Sequence, residues 1–199
     1  MIDRMGRRLA SALERLGNAQ VPSAPAGERV DAQRTVEFLA YGEDCLIVGR
    51  MRLEAERMTD LLNERDAFDV LDLVVEQLDD GRSATAPELT VSRDELLLVQ
   101  VAGPRGDASR RIRTRVYPVA AQVGPYRVRG HLHAMPGVDP TTVIHRRAPM
   151  VPLTDAWVDR PVGTERDLQH IGTVVINRDR MDWVVATWDD SSRWLDETD

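Results

Sequence analysis

The chain of 199 residues contains no lysine, because all 26 of its basic residues are arginine. This absence excludes chemistry that needs a lysine amine, such as Schiff-base catalysis or the lysine of a phosphate-binding P-loop. The lone cysteine, Cys45, cannot form an internal disulfide, and its place in an apolar run predicts a buried structural thiol. No apolar run reaches the 18 residues that a membrane-spanning helix needs, and the N-terminus lacks the pattern of a secretory signal. We therefore expect a cytoplasmic protein.

Charge is distributed unevenly along the sequence. Residues 34–103 carry 7 arginines against 16 acids, a net charge of −9, whereas residues 113–188 carry 10 arginines against 7 acids, a net charge of +3. Between them, the junction at residues 104–112 has a net charge of +2. The overall charge of −7 argues against nucleic acid as the main partner. Opposite charges on the two regions favour contact between them, either within a chain or head to tail between chains.

An amphipathic helix is predicted at residues 1–20, followed by a Pro- and Ala-containing linker at 21–33. Its apolar residues recur every three or four positions and form one stripe. The stripe leaves three interpretations open: docking on the same protein, pairing with a partner helix, or membrane-surface contact through residues 1–16. The residues of the stripe are Ile2, Met5, Leu9, Ala12, Leu13 and Leu16.

The most informative feature is an internal repeat. The run from Ile47 to Leu53 aligns with the run from Val128 to Ala134 at an offset of 81, and both alternate between apolar and polar residues. The match resumes at an offset of 82, where Phe68 aligns with Met150. The sequence therefore predicts an all-β protein with two tandem small β-barrel modules, 34–103 and 113–188, preceded by the N-terminal helix.

Within each predicted module a loop separates two late strands. The loops are predicted at 79–87 and 160–165, where turn-forming residues cluster. The strands that follow are predicted at 95–101 and 172–176, and the second module adds a strand at 181–188 after a turn at 177–180.

Several of these segments resemble known families. Ile47-Val-Gly-Arg-Met51 is similar to the second strand of the Sm-like small barrels, and residues 150–158 and 174–185 resemble their third strand and final strand pair. The chain also resembles an uncharacterised bacterial family of tandem small β-barrels with an Arg-x-x-Asp-Leu-Leu-Asn pattern, here residues 57–63. These resemblances imply a barrel topology. Because Asn177-Arg178-Asp179 replaces the Arg-Gly of the last Sm-like turn, RNA binding is not carried over.

A His-x-His pair is the first place in the sequence that looks like chemistry. His131 and His133 would point to one face of a strand, which is the geometry needed to bind a metal ion with two imidazoles. His145 and His170 are further candidate ligands in the same module. At offset 81, however, the pair aligns with Arg50 and Arg52, so the repeat favours a polar outer face. A metal site is thus an alternative interpretation.

An arginine-rich hairpin is the second candidate site. Guanidinium groups in this spacing could bind phosphate or RNA, although such a stripe more often meets an acidic surface. The residues of this predicted anion site are Arg111, Arg113, Arg115, Arg127 and Arg129.

The acidic tail at residues 189–199 carries one apolar pair, Trp194 and Leu195, among five acids, which resembles a docking segment. The tryptophans at 157, 183 and 188 fall in predicted strands and are expected in the core or at its rim. Together these features predict a non-enzymatic scaffold, adaptor or assembly component with no cofactor, acting through a protein partner or self-association. The predicted partner-binding residues are Ile2, Met5, Leu9, Leu13, Leu16 and Trp194.

Overall fold

The computed structural model describes residues 35–101, 113–162 and 164–187, and these are mostly strand. The all-β class is confirmed. The predicted N-terminal helix, the linker, the 104–112 junction and the 189–199 tail lie outside the described residues. The first half contains β1 (Thr35–Tyr41), β2 (Cys45–Arg52), α1 (Met58–Glu64), β3 (Ala67–Gln77), β4 (Ser83–Ser92) and β5 (Leu98–Val101). The second half contains β6 (Arg115–Val123), β7 (Tyr126–Ala134), α2 (Pro140–Arg146), β8 (Met150–Val162), β9 (Glu165–Asn177) and β10 (Met181–Ala186).

All ten strands belong to one antiparallel sheet in the order β10-β6-β7-β8-β9-β5-β1-β2-β3-β4. Each half therefore has the same internal order, in which the fifth strand pairs with the first and the fourth lies at the far side. The halves join where β9 pairs with β5 over Leu98–Gln100 and Val174–Ile176. The sheet is continuous and open, with β10 and β4 at its two edges.

The repeat extends beyond the strands, and it corrects the predicted alignment. The helices α1 and α2 start 82 residues apart, as predicted, but in the following strand the offset becomes 83. The pair Arg50 and Leu71 corresponds to the pair His131 and Thr154. Phe68 thus corresponds to Val151 rather than to Met150. A shift of one residue exchanges the two faces of a strand, so the correction decides which side chains are equivalent.

The predictions for the end of each half are confirmed in part. The predicted strands at 95–101, 172–176 and 181–188 overlap β5, β9 and β10, whereas the predicted loops were wrong in part, because residues 83–87 lie in β4 and residues 160–162 lie in β8. The edge strand β4 is the counterpart of β9. The strand β5 corresponds instead to β10, and both follow a short 3-10 turn, at Arg93–Glu95 and Arg178–Arg180. The period-two alternation that would have revealed β4 is broken at Pro87. Ala86 before the proline and Val91 after it are both buried, although they lie an odd number of positions apart.

The two halves bury opposite faces of the continuous sheet. In the paired strands, Val99 and Val175 belong to the core of the first half, whereas Leu98 and Ile176 belong to the core of the second half. Because neighbouring residues of a strand point to opposite faces, both faces of the joint are buried. The joint therefore links the two cores, and neither core is complete without residues of the other half.

Two asparagines bind backbone groups across the joint. Asn63 of α1 accepts a hydrogen bond from the backbone N–H of Met150 and donates to its carbonyl oxygen, both at 2.9 Å. Asn177, which is 1% exposed, donates to the carbonyl oxygen of Leu96 at 2.9 Å. These contacts pair polar groups that would otherwise be buried without partners.

Cys45 confirms the prediction of a buried thiol. The side chain is fully buried in the core of the first half. Burial raises the pKa of the Cys45 thiol to about 12, with the nearby carboxylates of Asp44 and Glu95 acting in the same direction. A thiol that stays protonated at neutral pH is a poor nucleophile, which fits a packing role.

Candidate docking face

The side of the second half that faces away from its core carries two rows of aligned side chains. Residues paired across neighbouring antiparallel strands share a face, so the pairing defines each row. The first row is Trp183, Gln122, Arg127, Asp159 and Leu168, and the second is Val185, Ala120, Arg129, Trp157 and His170.

Large apolar side chains in these rows are open to solvent. Trp157 is 43% exposed, Trp183 is 40% exposed and Leu168 is 44% exposed. Between them runs a groove of about 270 Å³ whose floor includes Ala120. Exposed tryptophans grouped around a groove are uncommon on protein surfaces, so this groove is a candidate binding surface.

Three arginines line the groove, and they differ in whether they have an ion-pair partner among the described residues. Arg166 binds the carboxylate of Asp159 at 2.8 Å. By contrast, Arg127 and Arg129 make no ion pair with any residue in the described ranges. We call the surface formed by Trp157, Trp183, Leu168, Arg127 and Arg129 the Trp–Arg face.

The tryptophans of this face were expected in the core or at its rim. Trp157 lies between Ala156 and Val158, which are both fully buried, so strand alternation places its own side chain on the outside. The position of the two tryptophans in predicted strands had suggested the core or its rim. The register of each strand relative to its neighbours was needed to place both side chains on the outer face.

The predicted metal pair lies next to the Trp–Arg face. His131 and His133 do share the outer face, and each contacts β8 or its bulge. The Nε2 of His133 lies 2.8 Å from the hydroxyl of Thr154. The Nδ1 of His131 lies 3.7 Å from the carboxylate of Asp155.

His131 and Arg50 stand at equivalent positions, each beside an aspartate in a β-bulge. Asp72 and Asp155 occupy the same position of a β-bulge, with φ of 48° and 49°. In the first half Arg50 binds Asp72, with its Nε at 2.9 Å. His131 corresponds to Arg50, so in both halves the cationic or polar partner of the bulge aspartate comes from the same strand position.

His170 also binds Asp155, through its Nε2 at 2.7 Å, and its ring lies 4.8 Å from that of Trp157. His145 lies apart from the other histidines, on α2. Across residues 35–101, 113–162 and 164–187, no group of three or more His, Cys, Asp or Glu side chains is placed to hold a metal ion.

The predicted anion site is divided between two ends and two faces of the β6–β7 hairpin. Arg127 lies opposite Gln122 near the turn, whereas Arg115 lies opposite Ala134 at the far end. Seven residues of strand separate these levels, which is about 23 Å. Arg115 also points to the other face, where its guanidinium lies 5.9 Å from the ring centre of Tyr117.

The remaining arginines of that set follow this division. Arg129 shares the face of Arg127, and Arg113 is exposed just before β6. Arg111 lies outside the described residues, as do the predicted helix stripe and Trp194. The structure thus brings Arg127 and Arg129 together with the exposed tryptophans, and it does not bring them together with Arg113 and Arg115.

Comparisons with known proteins give no match to any family model, curated protein or solved structure. Within the described ranges, none of the helices has the length and apolar character needed to cross a membrane.

Proposed function

We propose that the protein is a non-enzymatic adaptor that binds an acidic segment of a partner protein on the Trp–Arg face. The observation that carries this proposal is the grouping of half-exposed Trp157 and Trp183 with Arg127 and Arg129, which lack an ion pair in the described residues. Tryptophan and arginine are the residues most enriched where interfaces gain their affinity.

The chemistry of the face specifies the partner. Guanidinium groups recognise carboxylates through charge-assisted hydrogen bonds. The groove between the indoles of Trp157 and Trp183 offers apolar contact to one large side chain. We infer that the partner segment combines several acids with one aromatic or aliphatic residue.

The same proposal includes the wider architecture. The repeated strand order supports two tandem small barrels joined edge to edge, and the N-terminal helix would provide a second contact surface for assembly. Cytoplasmic residence, suggested by the single buried cysteine, fits an adaptor of this kind. The metal and anion alternatives have less support, because no group of metal-binding side chains is found among the described residues and because the arginine set is divided.

Peptide binding tests the proposal. A fluorescent 12-residue peptide of Asp, Glu and Ser with one central Trp-Leu pair is titrated with the full-length protein, and anisotropy is recorded. Replacement of Arg127→Glu and Arg129→Glu should weaken binding more than about tenfold, because two attractions become repulsions. Replacement of Trp-Leu by Ser-Ser in the peptide should weaken binding to a similar degree.

The chain offers a matched control. Arg113→Glu with Arg115→Glu changes the net charge equally at the far end of the hairpin and should leave peptide affinity within about twofold, since the exchange is remote and screened. Equal loss in both double variants would contradict the proposal, as would no binding. A 12-nucleotide single-stranded RNA that binds more tightly than the peptide would instead support an RNA-binding function.

A further inference from the structure

The Trp–Arg face corresponds to a surface that is covered in the first half. There, Leu98 and Tyr41 are buried in the core of the second half, and Leu46 packs against it. By the offsets established above, Trp183 takes the place of Leu98, and Arg127 takes that of Leu46. The repeat thus leaves the second half with a counterpart of the joint that no described residue covers.

The chain leaves the sheet beside this surface. β10 forms its edge and carries Trp183, and the backbone N–H of Thr187 still donates to the carbonyl oxygen of Pro118 at 2.9 Å. Residues 188–199 continue from that point. Three strand spacings, about 14 Å, separate β10 from Trp157 on β8. Seven extended residues, the distance in sequence from Thr187 to Trp194, span up to about 23 Å. The tail is therefore long enough to cross the groove.

The composition of the tail complements the face. Residues 188–199 contain five acids and one arginine, and they carry the apolar pair Trp194 and Leu195. Of the other segments outside the described residues, residues 1–16 and 104–112 each have a net charge of +2, and residues 17–34 have no net charge and no tryptophan. Only the C-terminal segment combines carboxylates for Arg127 and Arg129 with an indole for the groove.

We propose that the acidic tail of this chain, residues 188–199, binds intramolecularly to the Trp–Arg face and competes there with partner segments. This inference rests on the proposed function, because it assigns an occupant to the same surface. Tethering gives the tail an effective concentration on the order of 1 mM, so even an intrinsic Kd of about 100 μM keeps the face mostly covered.

The test measures competition in the full-length chain. A fluorescent peptide with the sequence of residues 188–199 is titrated with the wild type and with Trp194→Ala/Leu195→Ala, whose own tail lacks the apolar pair. The variant should bind the peptide about tenfold more tightly, because its face is no longer occupied. Ser191→Ala/Ser192→Ala is the matched control, since it alters two tail residues and keeps the charge and the apolar pair. It should bind like the wild type.

The outcomes separate this inference from the proposed function. Equal peptide affinity in the wild type and in Trp194→Ala/Leu195→Ala would overturn the tail as the occupant. The proposed function would still stand if Arg127→Glu/Arg129→Glu weakened binding of the designed acidic peptide more than about tenfold. Loss of that arginine dependence would refute the proposed function itself. A wild-type dimer in sedimentation that dissociates in Trp194→Ala/Leu195→Ala would assign the tail to a second copy and overturn the intramolecular assignment.

Discussion

Leu98 and Trp183 occupy the same position in the two halves, the fifth strand after a 3-10 turn, and they meet opposite environments. Leu98 is fully buried in the joint, whereas Trp183 is 40% exposed at the edge of the sheet. The preceding residues differ in the same sense, because Leu97 is 1% exposed and its counterpart Asp182 is exposed. The same strand arrangement therefore forms an apolar joint at β5, between the two halves, and a more polar edge at β10.

This difference shows how a sheet built from two similar halves can avoid pairing with further strands at its outer edge. A copy of the joint on β10 would present an apolar edge ready to pair with another chain. In the second half, charged residues stand at two of these positions: Asp182 in place of Leu97 and Arg127 in place of Leu46. Beside them the tryptophans line a groove. The second half therefore differs from the first at positions that face outward, while the strand arrangement is the same.

Exchanging Leu97 of the joint and Asp182 of the outer edge should give the largest effect. Leu97→Asp places the residue of the outer edge into the joint, where a carboxylate would be buried among apolar side chains. We expect a loss of about 4 kcal/mol or more of unfolding free energy, measured by urea denaturation. Because β5 and β9 contribute to both cores, a single unfolding transition should shift for the whole chain.

The reciprocal substitution is the control. Asp182→Leu removes a hydrogen bond of 3.1 Å from the backbone N–H of Gly124 to the carboxylate and adds apolar surface at an exposed site. Its effect should stay within about 1 kcal/mol. A second, separate unfolding transition in Leu97→Asp would show that the halves fold independently, contrary to the shared cores.

Gly49 and Gly130 lie where the pairing with the bulged strands β3 and β8 shifts register. They provide a second comparison, with an expected effect of intermediate size. A Cβ on Gly49 would lie 2.6 Å from Cγ1 of Val70 and 2.8 Å from the carbonyl oxygen of Leu71, whereas a Cβ on Gly130 would have its nearest neighbours at 3.2 Å. Gly49→Ala should therefore cost about 3 kcal/mol and Gly130→Ala about 1 kcal/mol, both measured by thermal or urea unfolding. Equal costs would mean that the two bulges relax equally well, against the geometry.

Much of the fold could be predicted because the repeat and the period-two alternation are visible in the sequence. The strands β2 and β7 were expected within a few residues of their observed bounds. The strand β4 was missed because Pro87 interrupts its alternation, and no local pattern indicates that the inward-facing side of the strand changes there. The pairing of β9 with β5 could not be predicted, because contact between the two halves depends on side chains far apart in the chain.

The candidate site was only partly accessible from the sequence. The outer-face position of His131 and His133 followed from alternation and is confirmed. The Trp–Arg face was not predicted, since Trp157 and Trp183 become neighbours of Arg127 and Arg129 only through the sheet order. Strand order is a tertiary property, and local patterns do not determine it.

The smallest expected effect concerns His131 and Arg50, the residues beside the two bulge aspartates. It tests whether the two residues can be exchanged or whether His131 is specific to the second half. His131→Arg restores in the second half the residue that pairs with the bulge aspartate in the first. Because Arg50 and Asp72 are both more than half exposed, such a pair contributes little. The substitution should change the free energy of unfolding by less than about 0.5 kcal/mol, measured in parallel with Arg50→His. A loss above about 1 kcal/mol only in His131→Arg would mean that His131 is fitted to Asp155 and His170 rather than exchangeable with arginine. The histidines would then belong with the diverged outer surface of the second half instead of with the shared backbone.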